Sequence, residues 1–213
     1  MSRRGERLCV AAALLLCATL CRAAPDFVGE QASDDARYAA AQALDAGDAQ
    51  GRPFAVVDKR AARIYVFDAA GRLTGASPAL LGLAPGDIAI ADIARRSPAS
   101  LAPHERSTPA GRFESQPGHN DKGEAIVWLD YNASLAIHRL RPAPPQERRA
   151  ARLASATPDD NRISFGCVVV PEAFYDAVVG PALGRQRGVV YVLPETRRVQ
   201  AMFDTADLAL ASR

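Results

Sequence analysis

From Pro53 onward the apolar residues fall into short runs, each ended by a charged, glycine or proline break, and this cadence constrains the fold more than any other feature of the chain. In FAVVDKRAARIYVFDAAGRL the runs Phe54 to Asp58 and Arg63 to Phe67 are rich in β-branched and aromatic residues, with polar breaks at Lys59 to Arg60 and Asp68 to Gly71. Runs this short and so bounded predict strands rather than helices. The cadence returns in EAIVWLDYNASLAIHRL, two runs around Tyr131 to Ala133 that predict a hairpin whose second strand ends at His138. Trp128 there is expected to serve core or hairpin packing, with a substrate platform as the alternative. ISFGCVVV and GVVYVLPE supply further strands. The expected fold class is mainly β with short helices.

Two segments break the cadence toward helix. In SDDARYAAAQALDAGDAQG, Ser33 can cap a helix, Asp34 and Asp35 favour its positive end, and Gly47 can stop it, which makes residues 25 to 52 a helical lead-in. In PEAFYDAVVGPAL, Pro171 suits a first turn, Phe174 and Val178 share a face, and Gly180 to Pro181 is expected to end the helix. Ser77 to Gly118 is rich in Pro, Gly, Ala and Ser and predicts long connections carrying short elements, of a kind that often serves function. RLRPAPPQERRAARLASATPDDNR, with Arg148, Arg149 and Arg152, reads as a solvated loop or short exposed helix, with an anion-binding lid as the alternative. The main domain is placed at residues 53 to 196, with a polar tail at 197 to 213.

The first residues set Arg3, Arg4 and Arg7 before an apolar run from Leu8 to Leu20, then small residues around Ala23 and Ala24. This is the layout of a secretory signal peptide, assigned to residues 1 to 24. The run is short for a membrane span, which needs about 20 residues, so no stable span is expected after processing; an uncleaved anchor is the alternative. With residues 1 to 23 set aside, including four arginines and one glutamate, the 26 basic and 24 acidic residues become 22 and 23. A nearly neutral chain has no general electrostatic reason to bind nucleic acid. The expected location is the periplasm or cell envelope.

Three of the four cysteines, Cys9, Cys17 and Cys21, lie in the leader, leaving Cys167. An unpartnered cysteine in an oxidising compartment is buried and inert, bonded between chains, or kept as a thiol for chemistry. A thiol attacks a carbonyl carbon as thiolate, so it needs a base and a place for the developing oxygen charge. In Ser164, Phe165, Gly166 and Cys167 the glycine permits a tight turn whose amides could hold an oxyanion. A small apolar Cys entering a strand gives a similar string. His104 and His119 lie in loop-like sequence, whereas His138 ends a strand and is the best-placed base. Such a dyad implies a thiol that ionises below its ordinary value of about 8.5. A papain-like peptidase is disfavoured, because there Cys precedes His.

Four of these segments, in this order, resemble the catalytic domain of the L,D-transpeptidases: FAVVDKRAARIYVFDAAGRL its opening strands, STPAGRF at 107 to 113 its T-P-x-G-x-F loop, LAIHRL the strand of its catalytic His, and ISFGCVVV its S-x-G-C segment. The resemblance covers residues 53 to 195. It implies a β-sandwich or barrel catalytic domain acting on peptidoglycan stem peptides without metal or organic cofactor. Cys167 would attack the carbonyl between the third residue and the terminal D-residue. His138 would be the base, oriented by the carbonyl of Arg139, and the amides of Phe165, Gly166 and Cys167 the oxyanion site, with Ser164 contacting substrate. An amine of another stem, an envelope protein or water would accept the acyl group. The chain departs from the family at Phe165, where His is frequent, at Val169, where Asn or Arg is usual, and in the longer interval from His138 to Cys167, a segment able to cover the cleft. The alternative is a catalytically weakened peptidoglycan-binding or scaffold protein on the same fold.

Overall fold

The computed structural model describes residues 24–90, 93–97 and 100–204; residues 1 to 23 of the proposed leader and residues 205 to 213 lie outside them. Strands β1 (Phe54–Asp58) and β2 (Arg63–Phe67) occupy the two opening runs and pair antiparallel. β3 (Leu73–Pro78) follows β2, β4 (Leu81–Gly82) is brief, and β5 (Gly111–His119) leads into β6 (Ala125–Asp130) and β7 (Leu135–Arg139). ISFGCVVV divides into β8 (Arg162–Ser164) and β9 (Val168–Val170), and β10 (Gly188–Val192) comes last.

Eight strands form one sheet in the order β3-β2-β1-β10-β5-β6-β7-β9, while β4 pairs with β8. The chain leaving β3 bends so that Leu80 exchanges two backbone hydrogen bonds with Val169 of β9, at 2.8 and 2.9 Å. Opposite edges are thus joined and the sheet becomes a nearly closed barrel. The fold is mostly β with a few short helices.

Strand alternation sorts the side chains. Ala55, Val57, Ile64, Val66, Val127, Ile137, Val168, Val170, Val190 and Val192 point inward and form one cluster. Phe54, Val56, Tyr65, Phe67, Val189 and Tyr191 point outward, under helix α1 (Asp34–Asp45). Ser33 caps this helix by accepting from the Ala36 N–H at 3.0 Å, and Ala36, Ala39, Ala40 and Ala43 form its buried stripe. Small side chains allow the helix to lie close to the aromatic strands. Val199 and Met202 join the same cluster, so the start of the polar tail packs on the sheet.

Two expectations need correction. Gly111–His119 was expected to be connection and forms the nine-residue β5 between β10 and β6; its polar residues and Pro117 hide a strand whose partners supply most of the pattern. The helix after Pro171 does not end at Gly180 to Pro181. It passes from α3 (Glu172–Phe174) through a π-helical turn, Tyr175–Val179, into α4 (Gly180–Leu183). The wider turn accommodates a proline that has no N–H to give.

Candidate active site

β7 and β9 run parallel with Ile137 opposite Val168 and His138 opposite Val169. Since Ile137 and Val168 point inward, Ala136, His138, Cys167 and Val169 share the outer face. Alternation alone therefore places the thiol and the imidazole on one side of neighbouring strands. Both line a cavity of about 430 Å³. Its roof comes from two connections, through Ile90, Ile93, Leu101 and Ser107 on one side and Arg141 to Pro144 with Arg149 on the other.

His138 is buried, and its Nδ1 lies 2.7 Å from the carbonyl oxygen of Arg139. A carbonyl only accepts, so Nδ1 carries the proton and Nε2 the lone pair. Burial lowers the pKa of His138 from 6.5 to about 4, a shift the Arg139 carbonyl opposes and Arg141 reinforces. At neutral pH the ring is an uncharged base.

Cys167 is half-buried, and its Sγ lies 3.5 Å from the carbonyl oxygen of Ser134, at the end of the β6–β7 hairpin. Burial pushes the thiol pKa up; the Ala136 backbone and the charge of Arg141 pull it down by less. The expectation of a low-pKa resting thiol is thus reversed: desolvation penalises the thiolate before any substrate arrives.

The turn before Cys167 is tied internally. Ser164 Oγ accepts from the Gly166 N–H at 3.0 Å and donates to the Cys167 carbonyl at 2.7 Å. The Ser164 hydroxyl, expected to contact substrate, is spent on holding this turn. The Gly166 N–H, expected in an oxyanion site, is already donated. Gly166 has φ +137°, and a Cβ there would sit 2.8 Å from the Ser107 carbonyl oxygen. Phe165 is exposed beside the cavity, with the Arg106 guanidinium 4.7 Å over its ring. His104 and His119 are exposed and do not line the cavity, and Trp128 packs edge-on against Tyr131 at 5.1 Å.

Sequence reasoning missed the support beneath this turn. Thr108 Oγ1 donates to the Gly166 carbonyl at 2.8 Å and accepts from the Gly82 N–H at 2.8 Å. The Thr108 carbonyl in turn accepts from Lys59 Nζ at 2.9 Å. Lys59, read as a polar break, is fully buried, with Asp87 at 2.8 Å and Glu195 at 3.3 Å; Arg162 pairs with Glu195 from the other side. No local signal marks a lysine in a turn as buried; the T-P-x-G string was the visible trace of Thr108. Among the described residues, no three His, Cys, Asp or Glu side chains gather as a metal would require, and no helix is long and apolar enough to cross a membrane.

The chain matches no family model and no curated protein. Among solved structures it is similar to an L,D-transpeptidase from Mycobacterium smegmatis, at 16% identity over 66% of this chain and 58% of that one, with a TM-score of 0.39. It is also similar to the L,D-transpeptidase from Xylanimonas cellulosilytica, at 17% identity over 70% of this chain and 67% of that one (TM-score 0.42). A third is the helical cell shape determining protein Pgp2 from Campylobacter jejuni, at 14% identity over 74% of this chain and 54% of that one (TM-score 0.43). The chain thus spans 58% of the first of these proteins and 54% of the third. At such identities the likeness is one of fold alone.

Proposed function

We propose that the chain is an exported cysteine acyltransferase of the cell envelope, a divergent S-F-G-C form of the L,D-transpeptidases, acting on peptidoglycan stem peptides through its domain at residues 53 to 196. The observation that carries this reading is the neutral His138, held by the Arg139 carbonyl, beside Cys167 in one cavity. The four motifs in family order support it.

In the acylation step Cys167 Sγ bonds to the carbonyl carbon before the terminal D-residue while its proton passes to His138 Nε2. On this reading the amides of Phe165 and Cys167 hold the oxyanion, and that of Gly166, donated to Ser164 Oγ at 3.0 Å, joins them only by leaving it. The C–N bond then breaks, the D-amino acid leaves with the proton from His138, and a thioester remains. An amine of a second stem attacks the thioester, gives its proton to His138, and the thiol is restored as the new amide forms. Water in place of the amine leaves a trimmed stem. Transfer of charge only at the moment of attack suits a thiol whose resting pKa is raised.

The raised thiol pKa and the committed Gly166 amide favour a second reading, a peptidoglycan-binding scaffold that keeps the fold. Intact mass separates the two. Wild type incubated with a stem tetrapeptide should gain the acyl mass and release the D-amino acid, and Cys167→Ala should do neither. Binding of stem peptide with no adduct from any stem or carbapenem supports the scaffold.

A further inference from the structure

β6 and β7 part before their ends, and the parting falls beside the imidazole. Their pairing stops at Val127 opposite Ile137; carried on in the same register it would set Ala125 opposite Arg139. Along a strand the backbone groups of successive residues face opposite neighbours. The Leu140 N–H goes to Val170 of β9, so the N–H and carbonyl of Arg139 face β6. In a continued ladder that carbonyl would take the Ala125 N–H and lie in the plane of the sheet. Instead it accepts from His138 Nδ1 at 2.7 Å, toward the face on which the ring stands. A cleft of about 240 Å³, with Ala125 and Ile126 on one side and His138 and Arg139 on the other, marks the gap between the strands.

The Arg139 side chain bridges this gap. By strand alternation it shares the inward sense of Ile137, at the end of the barrel that Tyr175 and Val179 close. Nη1 donates to the Ala125 carbonyl at 3.0 Å, replacing the backbone bond that the register would supply. Nε and Nη2 meet Asp176 Oδ1 at 2.8 and 2.5 Å, and the guanidinium carbon lies 4.1 Å over the Tyr175 ring. Three nitrogens and one face of the plane are thus engaged, which holds a long side chain in one place. Tyr175 and Asp176 open the π-helical turn. Past β7 the chain leaves through Pro142, Pro144 and Pro145 toward the short helix α2 (Arg149–Leu153), and prolines have no N–H with which to resume the ladder.

We propose that the side chain of Arg139 is a positioning group: clasped by Asp176 and Tyr175, its guanidinium takes the Ala125 carbonyl, holds β6 off β7, and so leaves the Arg139 carbonyl to fix the tautomer of His138. The tautomer does not rest on the acyltransferase reading above; its effect on rate does. Nitrogen-resolved NMR of protein labelled at histidine reads the tautomer directly, the His138 signals being those absent from His138→Phe. Wild type should show Nδ1 protonated and Nε2 bare. Arg139→Ala and Asp176→Ala should show mixed tautomers, the first more fully, while Arg139→Lys, which keeps a donor for Ala125, should stay closer to wild type. Acylation of Cys167 by a stem tetrapeptide should slow about tenfold or more in Arg139→Ala. The half-saturating peptide concentration should not change, since Arg139 does not line the cavity. Should Arg139→Ala fail to fold, Asp176→Ala, at an exposed position, carries the test alone. A wild-type tautomer in every one of these alanine variants that folds overturns the proposal, whatever stability they lose. A shifted tautomer in a protein that no stem peptide acylates supports the positioning role and removes the acyltransferase reading.

Discussion

Across β1, β2 and β10 the outward residues are Phe54, Val56, Tyr65, Phe67, Val189 and Tyr191, sealed by the alanine stripe of α1. Across β7, β9 and the residue leading into β9 the outward residues are Ala136, His138, Cys167 and Val169, and two connections arch over them around a cavity. The same two-residue alternation governs both places, so the difference lies in the cover. A helix can follow the sheet closely and leave no space. A connection has backbone groups to satisfy and must be tied down at chosen points, and the space between the ties becomes the site. Here the principal tie is an ion cluster around Lys59, from which Thr108 reaches the Gly166 carbonyl.

That contrast yields predictions in descending order of effect. Lys59→Met leaves Asp87 buried without its cation and Glu195 with Arg162 alone, at a cost of about 3–5 kcal/mol in denaturant unfolding. The same variant should slow acylation of Cys167, because Thr108 loses the anchor of its carbonyl. A loss under about 1 kcal/mol would show that the roof is not held this way.

The site should also weaken the fold in acid. The folded pKa of His138, about 4, lies below its ordinary 6.5, so between these values the unfolded chain holds a proton the folded chain lacks. Stability should therefore fall as pH drops through that window, by an amount on the order of 3 kcal/mol when complete. Asp87 and Glu195, whose pKa values are lowered, add their own loss only below the ordinary carboxylate range. His138→Phe should remove the upper part of the slope in urea titrations across pH.

On the sealed face, Ala39→Leu inserts bulk where α1 meets the strands and should cost about 1–3 kcal/mol in thermal or chemical unfolding. Alkylation of Cys167 should stay at the wild-type rate, since that face has no part in the cavity. Ser33→Ala removes one cap hydrogen bond from the same helix and should cost about 1 kcal/mol.

The parts of the molecule that could be read in advance are those where local pattern and tertiary outcome agree. β1 and β2 fall on their apolar runs, Ser33 caps its helix, and His138 lies near the end of β7 in the cavity that Cys167 also lines. β5 was hidden because its residues are polar and its strand character comes from β10 and β6 on either side. Lys59 was hidden because its partners, Asp87 and Glu195, are distant in sequence. The direction of the Cys167 pKa was misjudged for a related reason: residue type announces a base nearby but not how dry the sulfur will be.

The most direct test of the account is the pH dependence of Cys167 acylation, followed by intact mass, in wild type and in His138→Ala. The account predicts a wild-type rate constant that holds from neutral pH down to near 4. It predicts a variant slower by about 10²–10⁴-fold at neutral pH, whose rate climbs in alkali as the thiolate forms unaided. Equal rates for wild type and His138→Ala at neutral pH would contradict it.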